Sequence, residues 1–208
     1  MKTVVIVSQK GGTGKTTLAV HLATAFEREG KPAVIIDLDP QASAAVWGDL
    51  RKAEGPAVQS VQSARLGVTL KAAADAGADL AIIDTPARSE NTALDALRAG
   101  DLALMPFRPG LFDTAAMSFT ANLLKLTGKP GFVVFSQIRA PTNAAQLADV
   151  TEAATGYGLS VAPVLIHWRT AYEKCLPGGV TAQEDEPKGK AAGEIAELSR
   201  WLQTVLAK

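Results

Sequence analysis

A glycine-rich segment near the start of the chain constrains its fold more than any other feature. Residues 10–17 read Lys-Gly-Gly-Thr-Gly-Lys-Thr-Thr, and they follow the short apolar run at 4–7. A strand that enters a glycine-rich turn and then a helix binds phosphate, because backbone N–H groups converge on the oxygens and the helix N-terminus adds a positive dipole end. This order of elements therefore predicts a nucleotide-binding loop.

The side chains of this loop predict how it binds a nucleotide. Lys15 is expected to reach the β- and γ-phosphates, and the Thr16 hydroxyl is expected to ligate Mg²⁺. The glycines allow the backbone to approach the phosphates closely. The predicted nucleotide-binding residues of the loop are Gly11, Gly12, Thr13, Gly14, Lys15, Thr16 and Thr17.

Lys10 is an additional cation in this loop. The usual pattern has a glycine five residues before Gly14, but Gln9 occupies that position and Lys10 follows it. Lys15 already serves the phosphates bound by its own loop. The simplest interpretation is that Lys10 serves a phosphate on another subunit.

The segment 10–17 resembles the deviant Walker A motif of the ParA/MinD family of ATPases, in which the extra lysine reaches across an ATP-sandwich dimer. The resemblance implies ATP and Mg²⁺ as cofactors and a homodimer that forms with ATP. It also implies that Lys10 and Lys15 are catalytic residues in ATP hydrolysis.

Composition limits the class of protein further. The chain has 208 residues and is 47 % hydrophobic, which suits one α/β domain over 1–208. Its formal charge is zero, so any binding to nucleic acid or anionic lipid must come from a local patch. A single cysteine, Cys175, excludes an intramolecular disulfide and a C-x-x-C metal motif and fits a cytoplasmic location. The apolar start is too short for a signal peptide, and no stretch reaches transmembrane length.

Apolar runs alternate with helix-like stretches, which predicts an α/β P-loop NTPase with a mostly parallel, twisted sheet and helices on both faces. The segment 41–65 has mixed helix and loop signals, whereas the Gly, Pro and charge content of 177–190 predicts an exposed loop. Strands are predicted at 4–7, 33–38, 80–83, 102–105, 131–135 and within 159–166. Helices are predicted at 16–29, 91–99, 113–126, 143–155 and 193–206.

Aspartates follow two of the predicted strands, at the edge where parallel sheets bind ligands. Asp37 and Asp39 end the second strand, and Asp84 ends the third. The apolar strand that ends at Asp84 is a Walker B arrangement, with Asp84 holding Mg²⁺ directly or through water. By resemblance to the family's switch I motif, Asp39 positions the attacking water and Asp37 supports the magnesium shell. Segment 85–91 is then switch II.

Two further loops are predicted to lie near the nucleotide. Segment 105–109 with Asp113 matches a region near the family's dimer face, so Arg108 contacts a partner subunit or DNA, or is an ordinary exposed arginine. The family often has an asparagine after the fifth strand. Ser136 takes that place here, and Gln137 is predicted to replace it as the residue that reads the adenine base.

The resemblance favours a small ParA-type ATPase that partitions or positions a cargo: a plasmid, a chromosome origin or a protein cluster. The expected partners are non-specific DNA and a ParB-like or other cargo-bound protein that stimulates hydrolysis, with nucleoid association and no membrane. The C-terminal stripe Ile195, Leu198, Leu202 and Val205 has few basic neighbours, so it is predicted to dock on the core. A metabolic enzyme of the dethiobiotin-synthetase-like type and a membrane-surface MinD-like regulator are the alternatives.

DNA binding by a neutral chain requires a basic patch, which dimerisation would double. The candidate residues lie after the nucleotide motifs. Two of them, Arg169 and Lys174, fall in a stretch that resembles the family's DNA-contacting region. The full set of candidates is Arg139, Arg169, Lys174, Lys188 and Lys190.

Overall fold

A seven-stranded parallel sheet forms the centre of the molecule. The structure, a computed structural model, describes residues 1–109, 114–141 and 143–208. The strand order is β3-β2-β4-β1-β5-β6-β7, and each pairing between neighbours is parallel. The strands are β1 (Lys2–Ile6), β2 (Ala33–Asp37), β3 (Ala57–Ser60), β4 (Leu80–Asp84), β5 (Leu102–Phe107), β6 (Gly131–Phe135) and β7 (Ser160–Val161).

Helices cover both faces of this sheet. Short 3₁₀ turns at Ser63–Arg65 and Leu176–Gly178 join some of them. The helices are α1 (Lys15–Arg28), α2 (Ser43–Leu50), α3 (Leu66–Asp75), α4 (Glu90–Ala99), α5 (Thr114–Thr127), α6 (Ala144–Gly156), α7 (Thr170–Lys174), α8 (Ala182–Asp185) and α9 (Lys190–Leu206). Among the described residues, none of these helices is both long and apolar enough to cross a bilayer.

Alternation along the strands produces two hydrophobic cores. Val4 and Ile6 pack on one face of the sheet with residues of α1 and α9, whereas Val5 packs on the other face with residues of α4, α5 and α6. Side chains on both faces are buried, as expected for parallel strands between helix layers. The predicted fold class is confirmed.

The C-terminal helix lies on the first of these cores. Ile195, Leu198 and Leu202 are almost completely buried, and Val205 packs against the same cluster. The prediction that this stripe docks on the core is confirmed. The helix begins at Lys190, three residues before the predicted start.

Two segments differ from their predictions. Segment 41–65 forms α2, the edge strand β3 and a 3₁₀ turn, and the unpredicted α3 follows. The prediction that 177–190 is an exposed loop is wrong for its middle, because Thr181, Ala182 and Gln183 are buried and α8 begins there. Thr181 and Glu184 form a capping box, which satisfies two backbone N–H groups at the start of α8. The last strand, Ser160–Val161, lies within the predicted segment 159–166 and spans two residues.

Candidate nucleotide-binding site

The register of the sheet brings the predicted motifs to one edge. Ile6, which precedes the phosphate loop, pairs with Asp84, and Asp84 pairs with Asp37 on its other side. These three positions end neighbouring parallel strands. The loop that follows β1 therefore begins directly beside Asp84, with Asp37 one strand further along the same edge.

The phosphate loop has the backbone conformation that its glycines permit. Gly12 and Gly14 have φ values of 72° and 90°, in the left-handed region where a side chain is strained. Gly14 is the N-cap of α1, and its carbonyl accepts the Leu18 N–H at 2.8 Å. Helix α1 consequently starts at Lys15 with its N-terminus at the loop.

Lys15 is a buried cation at this helix start. The side chain belongs to a residue that is 8 % exposed, and burial lowers the pKa of Lys15, although Asp84 and then Asp39 act in the opposite direction. Burial of an ammonium is unfavourable unless an anion compensates it. The loop thus presents a poorly solvated positive charge that a phosphate group would stabilise.

Thr16 and Asp84 form an oxygen pair beside Lys15. The Thr16 hydroxyl donates a 2.6 Å hydrogen bond to Asp84 Oδ2, while Asp84 Oδ1 is buried and has no hydrogen-bond partner among the described residues. Burial raises the pKa of Asp84 to about 7. An unpartnered carboxylate oxygen next to a hydroxyl suits Mg²⁺, which prefers oxygen ligands and otherwise relies on water and substrate phosphates.

Asp37 organises the loop between β2 and α2. Its Oδ1 accepts the Asp39 N–H at 3.0 Å, and its Oδ2 accepts the N–H groups of Ala44 and Ala45 at 2.9 and 3.2 Å. The N-cap of α2 is Ala42, which has no side-chain acceptor of its own. Asp37 supplies the missing acceptor for the first turn of α2. Its role in the magnesium shell stays a prediction.

Asp39 lies in the same loop, half-buried. Its Oδ1 accepts the Gln41 N–H at 3.0 Å, and its backbone carbonyl accepts the Ala42 N–H at 2.8 Å. The carboxylate is close enough to act electrostatically on Lys15 and Asp84. Asp39 is therefore held by a tight turn at the phosphate side of the site. Its role in positioning water stays a prediction.

Lys10 and the predicted base-reading residues flank the loop on the outside. Lys10 is exposed, and its carbonyl accepts the Thr13 hydroxyl at 3.4 Å. Ser136 and Gln137 follow β6 and contact the loop backbone. Arg108 reaches Gln137 Oε1 at 3.5 Å, whereas Asp113 lies outside the described residues.

A cleft opens next to the loop at the start of α1. Gly14 and Thr17 form one wall, and Ser136 and Gln137 form another. The third wall is the segment after β7, which contributes Ile166, His167, Trp168, Arg169 and Tyr172. A planar base attached to phosphates in the loop would enter this cleft.

Glu194 holds that third wall together, and the sequence pattern did not indicate it. Its Oε1 accepts hydrogen bonds from Arg169 Nε and Nη2 at 3.0 and 2.5 Å, and His167 Nδ1 lies 2.7 Å from the same oxygen. The Tyr172 hydroxyl donates to Oε2 at 2.9 Å. Burial acts to raise the pKa of Glu194, but the hydrogen bonds from Arg169, Tyr172 and His167 outweigh it and the pKa is lowered.

The predicted DNA-binding residues lie in the region of an exposed tryptophan, and one of them, Arg169, differs from the others because it pairs with a carboxylate. The Arg139 guanidinium carbon lies 5.0 Å from the ring centroid of Trp168, which is 44 % exposed. Lys174 and Lys190 line a shallow depression with Trp168. Lys188 is exposed two residues before Lys190. Arg169 borders the same depression, but its charge is compensated by Glu194, so its predicted DNA contact loses support.

The segment that contains α8 is hydrogen-bonded to helix α1. His21 Nδ1 donates to the Thr17 carbonyl at 2.7 Å, and His21 Nε2 accepts the Ala182 N–H at 3.1 Å. The Gln183 side chain donates to the His21 carbonyl at 2.7 Å. These partners require a neutral ring with the proton on Nδ1, and burial lowers the pKa of His21 to about 4.

A buried ion pair fixes the same segment to α2. Arg51 Nη1 and Nη2 donate to the two carboxylate oxygens of Glu184 at 3.0 and 2.7 Å. Glu184 Oε2 also accepts from the Thr181 N–H and hydroxyl, each at 2.8 Å. The capping box of α8 and the ion pair therefore share one carboxylate.

The glycine-rich loop, the helix start and the Thr16–Asp84 pair on a parallel sheet define a P-loop nucleotide-binding protein. Residues 4–179 match the model of the CobQ/CobB/MinD/ParA nucleotide-binding domain, and the chain belongs to this family. ParA and MinD members are ATPases, and the chain is an ATPase of this class.

Named relatives and solved structures agree with this assignment. The protein ParA of Rhizobium radiobacter is 24 % identical over 217 residues, covering 100 % of this chain and 97 % of that protein. The maintenance of carboxysome distribution protein A of Gloeobacter kilaueensis is 32 % identical over 123 residues, covering 58 % of this chain and 56 % of that protein. The cell division protein MinD of Aquifex aeolicus shares the fold, with a TM-score of 0.79 at 18 % identity over 98 % of each chain.

Proposed function

We propose that this chain is an ATP-dependent dimerising switch that binds DNA without sequence preference and partitions or positions a cargo. The observation that carries the proposal is the phosphate loop, which combines a buried Lys15 with a second, exposed lysine, Lys10, on the fold of the ParA/MinD family. Relatives named for partition and for carboxysome distribution favour a positioning role with a plasmid, a chromosome origin or a protein cluster as cargo.

The nucleotide is ATP with Mg²⁺ in this proposal. Lys15 and the N-terminus of α1 hold the β- and γ-phosphates, while Thr16 and Asp84 hold the metal with Asp37 in support. Bound Mg²⁺ neutralises charge on the phosphates. Asp39 orients the attacking water from its turn beside Lys15. Lys10 reaches the phosphates of a second subunit.

The DNA surface is the basic region around Trp168. Because the chain has no net charge, contacts to DNA phosphates require a local basic patch, and in this proposal Arg139, Lys174, Lys188 and Lys190 provide it. A dimer presents this region twice, so DNA binding follows ATP binding. In this proposal the ATP-bound dimer is cytoplasmic and associates with the nucleoid. A ParB-like or other cargo-bound protein then stimulates hydrolysis and releases the dimer from the DNA.

Light scattering and ATP turnover test the switch. Wild-type protein is expected to dimerise with ATP, and Asp39→Ala to accumulate as the ATP-bound dimer with slow turnover. Lys10→Ala is expected to bind ATP as a monomer without hydrolysing it. A Lys10→Ala variant that dimerises and hydrolyses at the parent rate would remove the second subunit from the proposal.

Salt-dependent DNA binding tests the surface. Lys174→Ala is expected to weaken binding to all duplex sequences alike and to reduce the slope of log affinity against log salt by about 2, because each subunit of the dimer loses one phosphate contact. Arg169→Ala is the comparison, with little change in slope expected since Glu194 compensates its charge. Turnover that depends on a small carboxylate substrate, and not on DNA or a partner, would favour a metabolic enzyme. Flotation with anionic liposomes would favour a membrane-surface regulator.

A further inference from the structure

Two side chains that follow β6 bond to consecutive carbonyls of the phosphate loop. The Ser136 hydroxyl donates to the Thr13 carbonyl at 3.0 Å, and Gln137 Nε2 donates to the Gly12 carbonyl at 2.6 Å. These contacts join positions more than 120 residues apart in the chain. Ser136 is buried, being 6 % exposed.

The direction of a carbonyl determines the direction of the next amide. A trans peptide is planar, so its C=O and the following N–H point to opposite sides. Anchoring the Gly12 and Thr13 carbonyls on the β6 side therefore turns the Thr13 and Gly14 N–H groups to the other side of the loop. Amides of a glycine-rich loop are the groups that cradle phosphate oxygens.

The segment that supplies these anchors is itself held in place. Ser136 N–H donates to the Phe107 carbonyl at 2.9 Å, and Ile138 N–H donates to the Ile166 carbonyl at 3.1 Å. Between them Gln137 adopts φ 54°, a left-handed conformation that is unfavourable for a non-glycine residue. Neighbouring backbone contacts thus hold a residue in an unfavourable conformation while its amide contacts the loop.

The contact with Gly12 determines the orientation of the Gln137 amide. A carbonyl oxygen can only accept, so the 2.6 Å contact requires the NH₂ end of the amide to face Gly12. The other end of the amide, Oε1, lies 3.5 Å from Arg108 Nη1, a weak contact that is compatible with this orientation.

We propose that Ser136 and Gln137 are positioning residues that hold the amides of the phosphate loop in their polyphosphate-binding orientation. Gln137 therefore acts on the phosphates through the loop backbone, and base recognition belongs to other walls of the cleft. This role rests on the proposed function, since it requires a bound polyphosphate. A positioning role differs from base reading in one respect. Loss of a positioning residue weakens the binding of every ligand that carries a triphosphate, whatever its base.

The test compares three ligands that share the polyphosphate and differ in the base. The dissociation constants of ATP, GTP and inorganic tripolyphosphate, each with Mg²⁺, are measured by calorimetry for wild type, Gln137→Ala and Ser136→Ala. Loss of one anchoring hydrogen bond is expected to weaken all three ligands about three- to tenfold, by the same factor. Ser136→Thr retains the hydroxyl and is expected to bind each ligand within about twofold of wild type.

Other outcomes have separate meanings. If Gln137→Ala weakens ATP alone and leaves tripolyphosphate unchanged, Gln137 reads the base and the proposal is overturned. If neither Ser136→Ala nor Gln137→Ala changes any ligand, the anchors have no positioning role. Failure of wild-type protein to bind ATP would instead overturn the proposed function.

A second measurement separates positioning from general loss of structure. Melting temperatures of the ligand-free variants are expected to remain near that of wild type, and the amide resonances of Thr13 and Gly14 are expected to shift in an ¹⁵N spectrum of Gln137→Ala. Unshifted Thr13 and Gly14 amides would contradict the proposal even if affinity fell.

Discussion

The two sides of the nucleotide cleft are built by different kinds of contact. On the phosphate side, a motif that is local in sequence provides the loop: the dihedrals of Gly12 and Gly14 shape it, Asp37 caps the neighbouring α2, and Ser136 and Gln137 anchor two of its carbonyls. On the opposite side, the Glu194 carboxylate holds Arg169, which is 25 residues away, and within the scaffold His21 of α1 accepts the Ala182 N–H, which is 161 residues away. The comparison shows that one binding site can combine a local motif with a scaffold that has no motif at all.

This difference predicts different consequences of mutation. Loss of a phosphate-side residue removes a contact with the ligand and should act on binding. Loss of a residue on the opposite side removes a contact within the protein and should act first on stability. The three predictions below, from the largest expected effect to the smallest, test that division.

Replacement of Lys15 should give the largest of the three effects, and the quantity that changes should be the affinity for ATP. Lys15→Ala removes the buried cation at the start of α1, so a bound triphosphate loses its main charged partner. Affinity for ATP is expected to fall by more than about 100-fold in a fluorescent-nucleotide titration, because charge-assisted bonds to a phosphate are among the strongest polar contacts. Lys71→Ala, which removes an exposed lysine of α3, is the matched control. Parent affinity in Lys15→Ala would refute the phosphate-loop assignment.

Protonation of His21 should destabilise the fold at low pH. The pKa of His21 is about 4 in the folded chain, against about 6.5 when unfolded, so below pH 6.5 the unfolded chain binds a proton that the folded chain excludes. Its contribution to stability is complete above pH 6.5 and is lost as the pH falls towards 4. The loss is expected to reach about 3 kcal/mol.

Urea denaturation across this pH range measures the effect. His21→Gln should be less stable at pH 7 and should lack this part of the pH slope. The chain's other histidine provides the comparison, since His167→Gln should retain the slope. If His167→Gln flattens the curve and His21→Gln does not, the assignment of the slope to His21 is wrong.

Removal of the Glu194 charge should have the smallest effect of the three. Glu194→Gln leaves the Arg169 guanidinium without its countercharge and weakens the bonds to His167 and Tyr172. The expected loss of unfolding free energy is about 2 kcal/mol, reduced by the partial exposure of Arg169. Glu197→Gln, on an exposed position of the same helix, should change stability little. A stable Glu194→Gln variant with strongly reduced ATP affinity would break the division between the two sides.

Sequence order was enough to predict the phosphate side. The loop, Thr16 and Asp84 follow their strands in the expected order, and parallel register then places them together. The sequence also predicts the apolar stripe on α9, because the spacing of its apolar residues is that of one face of a helix. The edge strand β3 was missed because Gln59 and Ser60 carry no apolar alternation.

The opposite side gave little sequence signal. Glu194 is 25 residues from Arg169, and nothing in the spacing pairs them. The one local signal there is the spacing of Thr181 and Glu184, which is that of a capping box and indicates a helix start inside a segment rich in Gly and Pro. Arg51, which donates to Glu184 of that box, lies 133 residues away in the sequence. Only the tertiary fold brings the two residues together.

The environments of two tryptophans have an experimental consequence. Trp47 is 3 % exposed and stacks with Arg51, whereas Trp168 is 44 % exposed and stacks with Arg139. A dissolved collisional quencher reaches the indole of Trp168 and is excluded from that of Trp47. Once the half-buried third tryptophan is removed by Trp201→Phe, the protein can therefore report optically on its basic surface, since a ligand that covers Trp168 will shield its emission from the quencher.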